Sequence, residues 1–293
     1  MSIVGVVGLG IMGFEAARCL IVNKHVVYGY DLFDSATRRA NKIGVNICLS
    51  PEEIASKVEI LLIIVPGPKE CDEVIFGKTG IINNPHEKLL IANMSTVDPA
   101  TNRRLANQLA DRGITLIDTP VLGLPSGAGK WAFPVGASAK DFERIKPILR
   151  SLGGSDDRIF HAGEVGDGNK LKLLNNLMFG AITSCTAEIM ALAKKMGLSQ
   201  KLLFEVALAA NAGTISNLYK ALAIRVIEEN QHDAIFSIQL LKKDNALALD
   251  MAKEHDVNLM LGETVDRINK MACTSGYGAL DVSALWKLFD EQW

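Results

Sequence analysis

The chain has 293 residues, which is enough for two domains of ordinary size. It is 48% hydrophobic and 22% charged, and its 31 basic and 33 acidic residues give a net charge of −2. This balance lacks the basic excess of nucleic-acid binders, so we expect no nucleic-acid partner. Five scattered cysteines, not in metal-ligand spacing, favour reduced thiols in a cytoplasmic protein without a metal site. The least charged long stretch, 173–187, is too short and polar to predict a membrane span.

The first half of the chain alternates short apolar runs with helical patterns, which is typical of a parallel sheet flanked by helices. The run 60–65 is apolar on both faces, as a central parallel strand must be. Strands are predicted at 3–7, 25–30, 59–65, 89–93, 114–118, 133–135 and 158–161, with helices at 14–22, 35–43 and 99–112 between several of them.

After about residue 168 only helical patterns follow, and the first of them, 171–196, is the longest. Gly197 ends this pattern, and Ser199 is the predicted N-cap of the next helix. Further helices are predicted at 201–210, 214–229, 235–255, 259–273 and 282–289, the last with Asp281 as N-cap. We therefore predict a doubly wound, mostly parallel α/β Rossmann domain over 1–163. An all-helical domain over 164–293, beginning with a long interdomain helix, would follow it.

A glycine motif of the form G-x-G-x-x-G runs from Gly8 to Gly13, directly after a predicted strand and at the start of a helical pattern. Gly8 permits a tight turn, Gly10 lets the backbone approach a pyrophosphate, and Gly13 lets the helix pack on the strand. The phosphates would meet free N–H groups at the positive end of a helix. The predicted cofactor contacts here are Gly8, Leu9, Gly10, Ile11, Met12 and Gly13.

Asp31 ends the second predicted strand, 18 residues after Gly13. A carboxylate at this place accepts hydrogen bonds from a ribose and repels a 2′-phosphate, so NAD is favoured over NADP. Arg38 and Arg39 are the opposing observation, since either side chain would pair with a 2′-phosphate. Both lie well inside the next helical pattern, where we expect a solvated helix face.

Two further predicted strands have their carboxyl ends at the edge of the parallel sheet where ligands bind. Val65 and Pro66 follow one strand, and Ser95 and Thr96 follow the next. A hydroxyl of Ser95 or Thr96 is a candidate contact to the nicotinamide side of the cofactor. Either side chain would serve equally well as a partner for local backbone groups, so this choice stays open.

The segment 163–176 joins the two predicted domains and carries the most informative chemistry. In a helix that includes Leu171, Lys172 and Asn176 stand one turn apart on one face. An ammonium beside an amide binds a hydroxyl or carbonyl oxygen, and the lysine supplies the proton when one becomes the other. Most lysines are surface residues, and Lys170 is only two positions away, so spacing alone does not choose between them.

Five motifs together resemble the β-hydroxyacid dehydrogenases over nearly the whole chain: GLGIMG at 8–13, MSTVDP at 94–99, DTPVLG at 118–123, GDGNKLKLLNN at 166–176 and FSIQLLKKDNALAL at 236–249. The resemblance implies that Lys172, not Lys170, is the catalytic residue and that Asn176 binds substrate. It also implies that Val65, Thr96 and Lys243 contact the cofactor, Lys243 by closing over it. The expected activity interconverts a small 3-hydroxy acid and its semialdehyde with NAD(H), in a homodimer or homotetramer.

The predicted substrate loop departs from the family pattern D-x-P-V-S-G-G. Leu122 and Leu124 stand where the family has serine and a second glycine, whose hydroxyl and N–H groups hold the acid group of the substrate. Ser126, Lys130 or backbone N–H groups are candidate replacement donors, and the sequence does not rank them. The predicted substrate-binding residues are Leu122, Gly123, Leu124, Ser126 and Asn176.

Two alternatives follow from this altered loop. One is a reductase of another small substrate, such as a sulfonated aldehyde, a bulkier acid or an imine, although imine reductases normally lack the lysine that is present here as Lys172. The other is a non-catalytic dinucleotide-binding protein.

Overall fold

The computed structural model describes residues 1–210 and 216–291. The chain divides into two compact units, Met1–Lys172 and Leu173–Trp293. The predicted domain division, at 163/164, lies a short way before this point in the chain.

The first unit contains one sheet of eight strands, in the order β3-β2-β1-β4-β5-β6-β7-β8. All neighbours are parallel except β6 and β7, which form one antiparallel pair between Asp118 and Gly136. The carboxyl ends of β1, β4, β5 and β6 therefore meet at one edge. The strands are β1 Ile3–Val7, β2 Val26–Tyr30, β3 Asn46–Ile47, β4 Ile60–Ile63, β5 Leu90–Asn93, β6 Thr115–Asp118, β7 Phe133–Gly136 and β8 Ile159–Gly163.

Helices cover both faces of this sheet, and its central strands β4 and β5 are therefore buried throughout. One apolar cluster includes Leu20 and Phe133, and a second includes Ile54 and Leu105. The helices are α1 Ile11–Val22, α2 Asp34–Asn41, α3 Pro51–Ala55, α4 Pro68–Phe76, α5 Pro99–Ala110 and α6 Ala139–Gly153. This doubly wound arrangement confirms the predicted fold class.

The regular elements of the second unit are helices throughout the described residues, as predicted, apart from one isolated bridge between Ser237 and Asp281. α7 begins at Asp167, four residues before the predicted start, and the chain leaves it at Gly197 with φ +74. Ser199 accepts a hydrogen bond from the Leu202 N–H at 3.2 Å and caps the next helix. The helices are α7 Asp167–Lys195, α8 Gln200–Ala210, α9 Asn217–Ile227, α10 Ile238–Glu254, α11 Met260–Thr274 and α12 Leu285–Glu291. Two residues of the predicted helix 214–229, Thr214 and Ile215, lie outside the described residues.

Among the described helices, α7 is long and apolar enough, by length and composition alone, to cross a membrane. The long central helix of a helical domain meets the same criteria, and half of the apolar stretch of α7 is buried within the structure. The prediction of no membrane partner stays a prediction.

Candidate active site

The glycine loop between β1 and α1 has the geometry that a dinucleotide pyrophosphate requires. Gly8 has φ +91, and a Cβ there would lie 2.1 Å from the carbonyl oxygen of Ile64. A Cβ on Gly13 would lie 1.8 Å from the carbonyl oxygen of Gly8, so α1 packs this closely on β1 only with glycine at that position. No atom lies within 4 Å of a Cβ placed on Gly10, which leaves its backbone open to a ligand.

α1 starts at Ile11 without a capping side chain, because its N-cap residue is Gly10. The first N–H groups of the helix therefore face the open side of the loop, at the positive end of the helix dipole. A bound pyrophosphate fits this cradle, so the loop accommodates NAD or NADP. The roles of Leu9, Ile11 and Met12 in it stay predictions.

Asp31, at the end of β2, holds the glycine loop from the adjacent strand. Its carboxylate accepts hydrogen bonds from the N–H groups of Leu9 at 2.6 Å and Phe33 at 2.9 Å. A carboxylate offers about four lone-pair sites, so two remain for a ribose. The structure therefore gives Asp31 a loop-fixing role that the sequence pattern alone did not indicate.

Arg39 is exposed on α2, as predicted, and its side chain also contacts the glycine loop. Its guanidinium donates to the carbonyl oxygens of Leu9 at 2.9 Å and Gly10 at 3.2 Å, and it stacks 4.6 Å from the ring centre of Phe14. Arg38 also fits the prediction, with a side chain 72% exposed. The carbonyl groups of the turn attract Arg39 because the loop directs them toward α2.

The ends of β4 and β5 are tied together by Ser95. Its hydroxyl accepts a hydrogen bond from the Val65 N–H at 2.9 Å and donates to the Ile63 carbonyl oxygen at 3.3 Å. Ser95 is 3% exposed and has a structural role, which leaves Thr96 as the candidate contact to the nicotinamide side. Val65, Pro66 and Thr96 lie at the same sheet edge as the glycine loop.

The buried carboxylate of Asp118 joins the end of β6 to the first turn of α7. It accepts hydrogen bonds from the N–H groups of Gly166 at 2.6 Å and Asn169 at 2.7 Å. Burial raises the pKa of Asp118 to about 6, although these hydrogen bonds oppose the shift. The carboxylate occupies the place of a helix cap and explains why α7 begins before its apolar periodicity.

Asn169 connects the same turn to β5. Its side-chain oxygen accepts a hydrogen bond from the Val97 N–H at 3.2 Å. Lys170 pairs with Asp167 at 2.7 Å, and both Lys170 and Lys172 are half-buried. The contacts of Asp118 and Asn169 thus fix the turn that leads into Lys172.

The loop that follows β6 is closed at its base by a two-bond antiparallel bridge. The N–H of Leu122 donates to Ala132 at 2.9 Å, and the N–H of Ala132 donates back at 3.0 Å. Between these residues, Gly123 has φ +147, a conformation that glycine adopts readily. Ser126 and Lys130 are exposed on this loop.

In the second unit, Asp244 on α10 links two residues for which a site role was predicted. Its carboxylate accepts a hydrogen bond from the Asn176 side-chain amide at 2.6 Å and pairs with Lys243 at 2.8 Å. Asp244 is 2% exposed, and the ammonium of Lys243 balances its buried charge. The sequence motif contained Asp244 but gave no sign that it would contact Asn176.

Across the described residues, no group of three or more His, Cys, Asp or Glu side chains would hold a metal ion. In the first unit, the glycine loop follows β1 and the predicted substrate loop follows β6, so both lie at the edge where the carboxyl ends of these parallel strands meet.

Two family models account for nearly the whole chain. One, described as the NAD binding domain of 6-phosphogluconate dehydrogenase, matches residues 3–163. The other, described as NAD-binding of NADP-dependent 3-hydroxyisobutyrate dehydrogenase, matches residues 166–289. This chain belongs to the β-hydroxyacid dehydrogenase family. The resemblance inferred from the sequence motifs is thereby confirmed, and the protein is an NAD(P)-dependent oxidoreductase.

Several members of the family are similar to this chain along most of their length. A probable mitochondrial 3-hydroxyisobutyrate dehydrogenase of Dictyostelium discoideum is 31% identical, with 98% of this chain and 91% of the relative covered. A 2-(hydroxymethyl)glutarate dehydrogenase of Eubacterium barkeri is 29% identical, with 98% and 95% covered. The crystal structure of a 3-hydroxyisobutyrate dehydrogenase from Salmonella typhimurium superposes with a TM-score of 0.90 at 26% identity, covering 98% of this chain and all of that one.

Proposed function

We propose that this β-hydroxyacid dehydrogenase oxidises a small 3-hydroxy acid to its semialdehyde with NAD, and that Lys172 exchanges the proton of the hydroxyl group. The observation that carries the proposal is the fixed start of α7. Asp118 and Asn169 hold this turn against the ends of β6 and β5, where the sheet also presents the glycine loop. Lys172 follows this turn directly, at the position that the family motif gives to the catalytic lysine.

Bound NAD would accept a hydride from the substrate carbon. Lys172 would take the hydroxyl proton during oxidation and return it during reduction. Asn176 donates one amide hydrogen to Asp244 and keeps a second hydrogen for the substrate oxygen. The loop from Leu122 to Gly127, including Ser126, would hold the acid group and so orient the reacting carbon.

The preference for NAD over NADP rests on Asp31. Its carboxylate is fixed by two backbone N–H groups beside the glycine loop, where a ribose 2′-phosphate would meet a negative charge. Val65, Pro66, Thr96 and Lys243 are proposed as further cofactor contacts. We expect kcat/KM to be at least about tenfold higher with NAD than with NADP, which steady-state assays with both cofactors will measure.

The lysine is tested by two matched substitutions, assayed on whichever hydroxy acid the wild type oxidises fastest. Lys172→Ala should lower kcat by about 10²–10⁴-fold, because it removes the proton-transfer group, and should leave the Kd for NADH unchanged. Lys170→Ala, two residues away on the surface, should change kcat by less than about twofold. Wild-type turnover in Lys172→Ala would contradict the proposed role.

A second candidate function is favoured by Leu122 and Leu124, which alter the loop that would bind the acid group. It is the reduction of a different small substrate, such as a sulfonated aldehyde or an imine. Assays of hydroxy acids, aldehydes, sulfonated aldehydes and imines with both cofactors will separate the two. Tight NADH binding without turnover of any of these compounds would indicate a non-catalytic dinucleotide-binding protein.

We also propose that the protein acts in the cytoplasm as a homodimer or homotetramer, without a nucleic-acid or membrane partner. The apolar residues exposed on α7, including Met178 and Leu192, support self-association.

A further inference from the structure

The loop between β6 and β7 is built on the side chain of Trp131, which is completely buried. The indole Nε1–H donates a hydrogen bond of 2.7 Å to the carbonyl oxygen of Leu124. The indole Cδ1 would lie only 2.5 Å from a Cβ on Gly123 and 3.8 Å from one on Gly127. The indole ring of Trp131 therefore packs against the backbone of the loop for which substrate contacts are predicted.

Hydrogen bonds within the loop converge on the same carbonyl group. The Leu124 oxygen also accepts from the Gly127 N–H at 2.9 Å, in a short 3₁₀ turn over Pro125–Gly127. By contrast, the N–H groups of Gly123 and Leu124 donate to no acceptor among the described residues. Two consecutive backbone donors are thus available to a ligand. The carbonyl group of Leu124, which follows them in the chain, is held by the hydrogen bond from Trp131.

Backbone donors recognise an anion well only when they are held in place before it binds. The chain has Leu122 at the start of the loop and therefore lacks a hydroxyl donor there. Recognition of an acid group then depends more heavily on the direction of the Gly123 and Leu124 N–H groups. The indole of Trp131 fixes that direction through its hydrogen bond to the Leu124 carbonyl and its contact with Gly123.

We propose that Trp131 is a positioning residue that sets substrate affinity by holding the Gly123–Leu124 backbone donors toward the acid group of the substrate. The inference rests on the proposed function, since it assigns the loop the task of binding that acid group. Trp131 itself touches neither substrate nor cofactor, because its ring is enclosed by the protein. Its effect on binding is transmitted by the Leu124 carbonyl and by contact with Gly123.

The first test is Trp131→Phe, which keeps an aromatic ring and removes the N–H donor. KM for the hydroxy acid should rise at least about tenfold, whereas kcat and the Kd for NADH should change by less than about threefold. Trp286→Phe is the matched control, because Trp286 is also buried and its indole nitrogen has no hydrogen-bond partner among the described residues. This control should leave all three constants unchanged.

The second test needs no substrate. Amide hydrogen exchange over residues 122–130 should be at least about tenfold faster in Trp131→Phe than in the wild type, with residues 139–153 unchanged. Gly123→Ala disturbs the contact between Gly123 and the indole by a change in the loop itself. It should also raise KM, since its Cβ would displace the indole. If Trp131→Phe does not fold, KM and amide hydrogen exchange are measured on Gly123→Ala instead.

The outcomes separate the two proposals. A wild type that oxidises no hydroxy acid contradicts the proposed function, and exchange in the loop then still decides whether Trp131 holds it. Wild-type exchange rates and KM in the tryptophan variant would overturn the positioning role while leaving the proposed function intact. An equal loss of kcat and of NADH affinity would also overturn it, because it would indicate general structural damage.

Discussion

Arg39 reaches from α2 to the turn on which the cofactor pyrophosphate is expected to lie. Its guanidinium is held by two carbonyl groups of the loop and by the ring of Phe14. Each hydrogen bond contributes on the order of 1 kcal/mol, and an exposed cation–π contact about half as much. Together they reduce the freedom of the turn before the cofactor binds, so affinity for the cofactor should depend on Arg39.

Arg39→Gln should raise the Kd for NAD and for NADP alike by about tenfold, equivalent to about 1.4 kcal/mol, because it loosens a loop that both cofactors use. Arg38→Gln is the matched control, since Arg38 is mostly exposed and pairs only loosely with Asp34, at 3.8 Å. Fluorescence titration with the reduced cofactors measures both. If only NADP binding weakened, Arg39 would instead be a ligand of the 2′-phosphate.

At the scale of single elements, the start of α7 shows what the sequence could and could not predict. Apolar spacing places the helix correctly from residue 171 onward, because apolar residues three and four apart share one face of a helix. Its first turn has no such pattern and is fixed by Asp118, which is 48 residues from Gly166 in the chain. A contact over that distance leaves no local trace in the sequence, so the predicted helix begins four residues too late.

Asp118 should also give the stability of the first unit a distinct pH dependence. Its pKa is raised from 3.8 to about 6 in the folded protein, so the folded state binds the proton more tightly than the unfolded chain does. The contribution of this group to the free energy of unfolding is therefore full below pH 4 and is lost as the pH rises through 6. It amounts to about 3 kcal/mol at most, because each pKa unit corresponds to about 1.4 kcal/mol.

Urea unfolding of the wild type and of Asp118→Asn at pH 4 and pH 7 measures this contribution. The wild type should gain about 2 kcal/mol over the variant between pH 7 and pH 4. Asp34→Asn removes a carboxylate that is 89% exposed and should show no such gain. A constant difference between wild type and Asp118→Asn at both pH values would show that burial does not govern the titration of Asp118.

For the whole molecule, the predictable features were those that repeat along the chain or follow from a fixed motif. Alternating apolar runs indicated the parallel sheet, and the glycine motif indicated its cofactor edge. The short strand β3 has only two residues and no recognisable pattern. The contacts that shape the candidate site, such as those of Asp244 and Trp131, depend on which side chains the fold brings together, and spacing alone does not encode them.

The exposed apolar face of α7 leads to a prediction about the whole molecule. Leu174, Met178 and Leu192 are 51%, 66% and 59% exposed, and they lie on α7 at spacings that keep them near one face. A soluble monomer rarely leaves so long an apolar stripe in contact with water, so we expect sedimentation velocity to show a dimer or a tetramer. Introducing charge with Met178→Glu and Leu192→Glu together should shift the protein toward monomer, because the carboxylates would be buried unpaired in the assembly. Val257→Glu, at an exposed valine of the same unit but outside this helix, should leave the assembly intact. A wild type that sediments as a monomer at every concentration would refute the expectation, as would a double variant that assembles like the wild type.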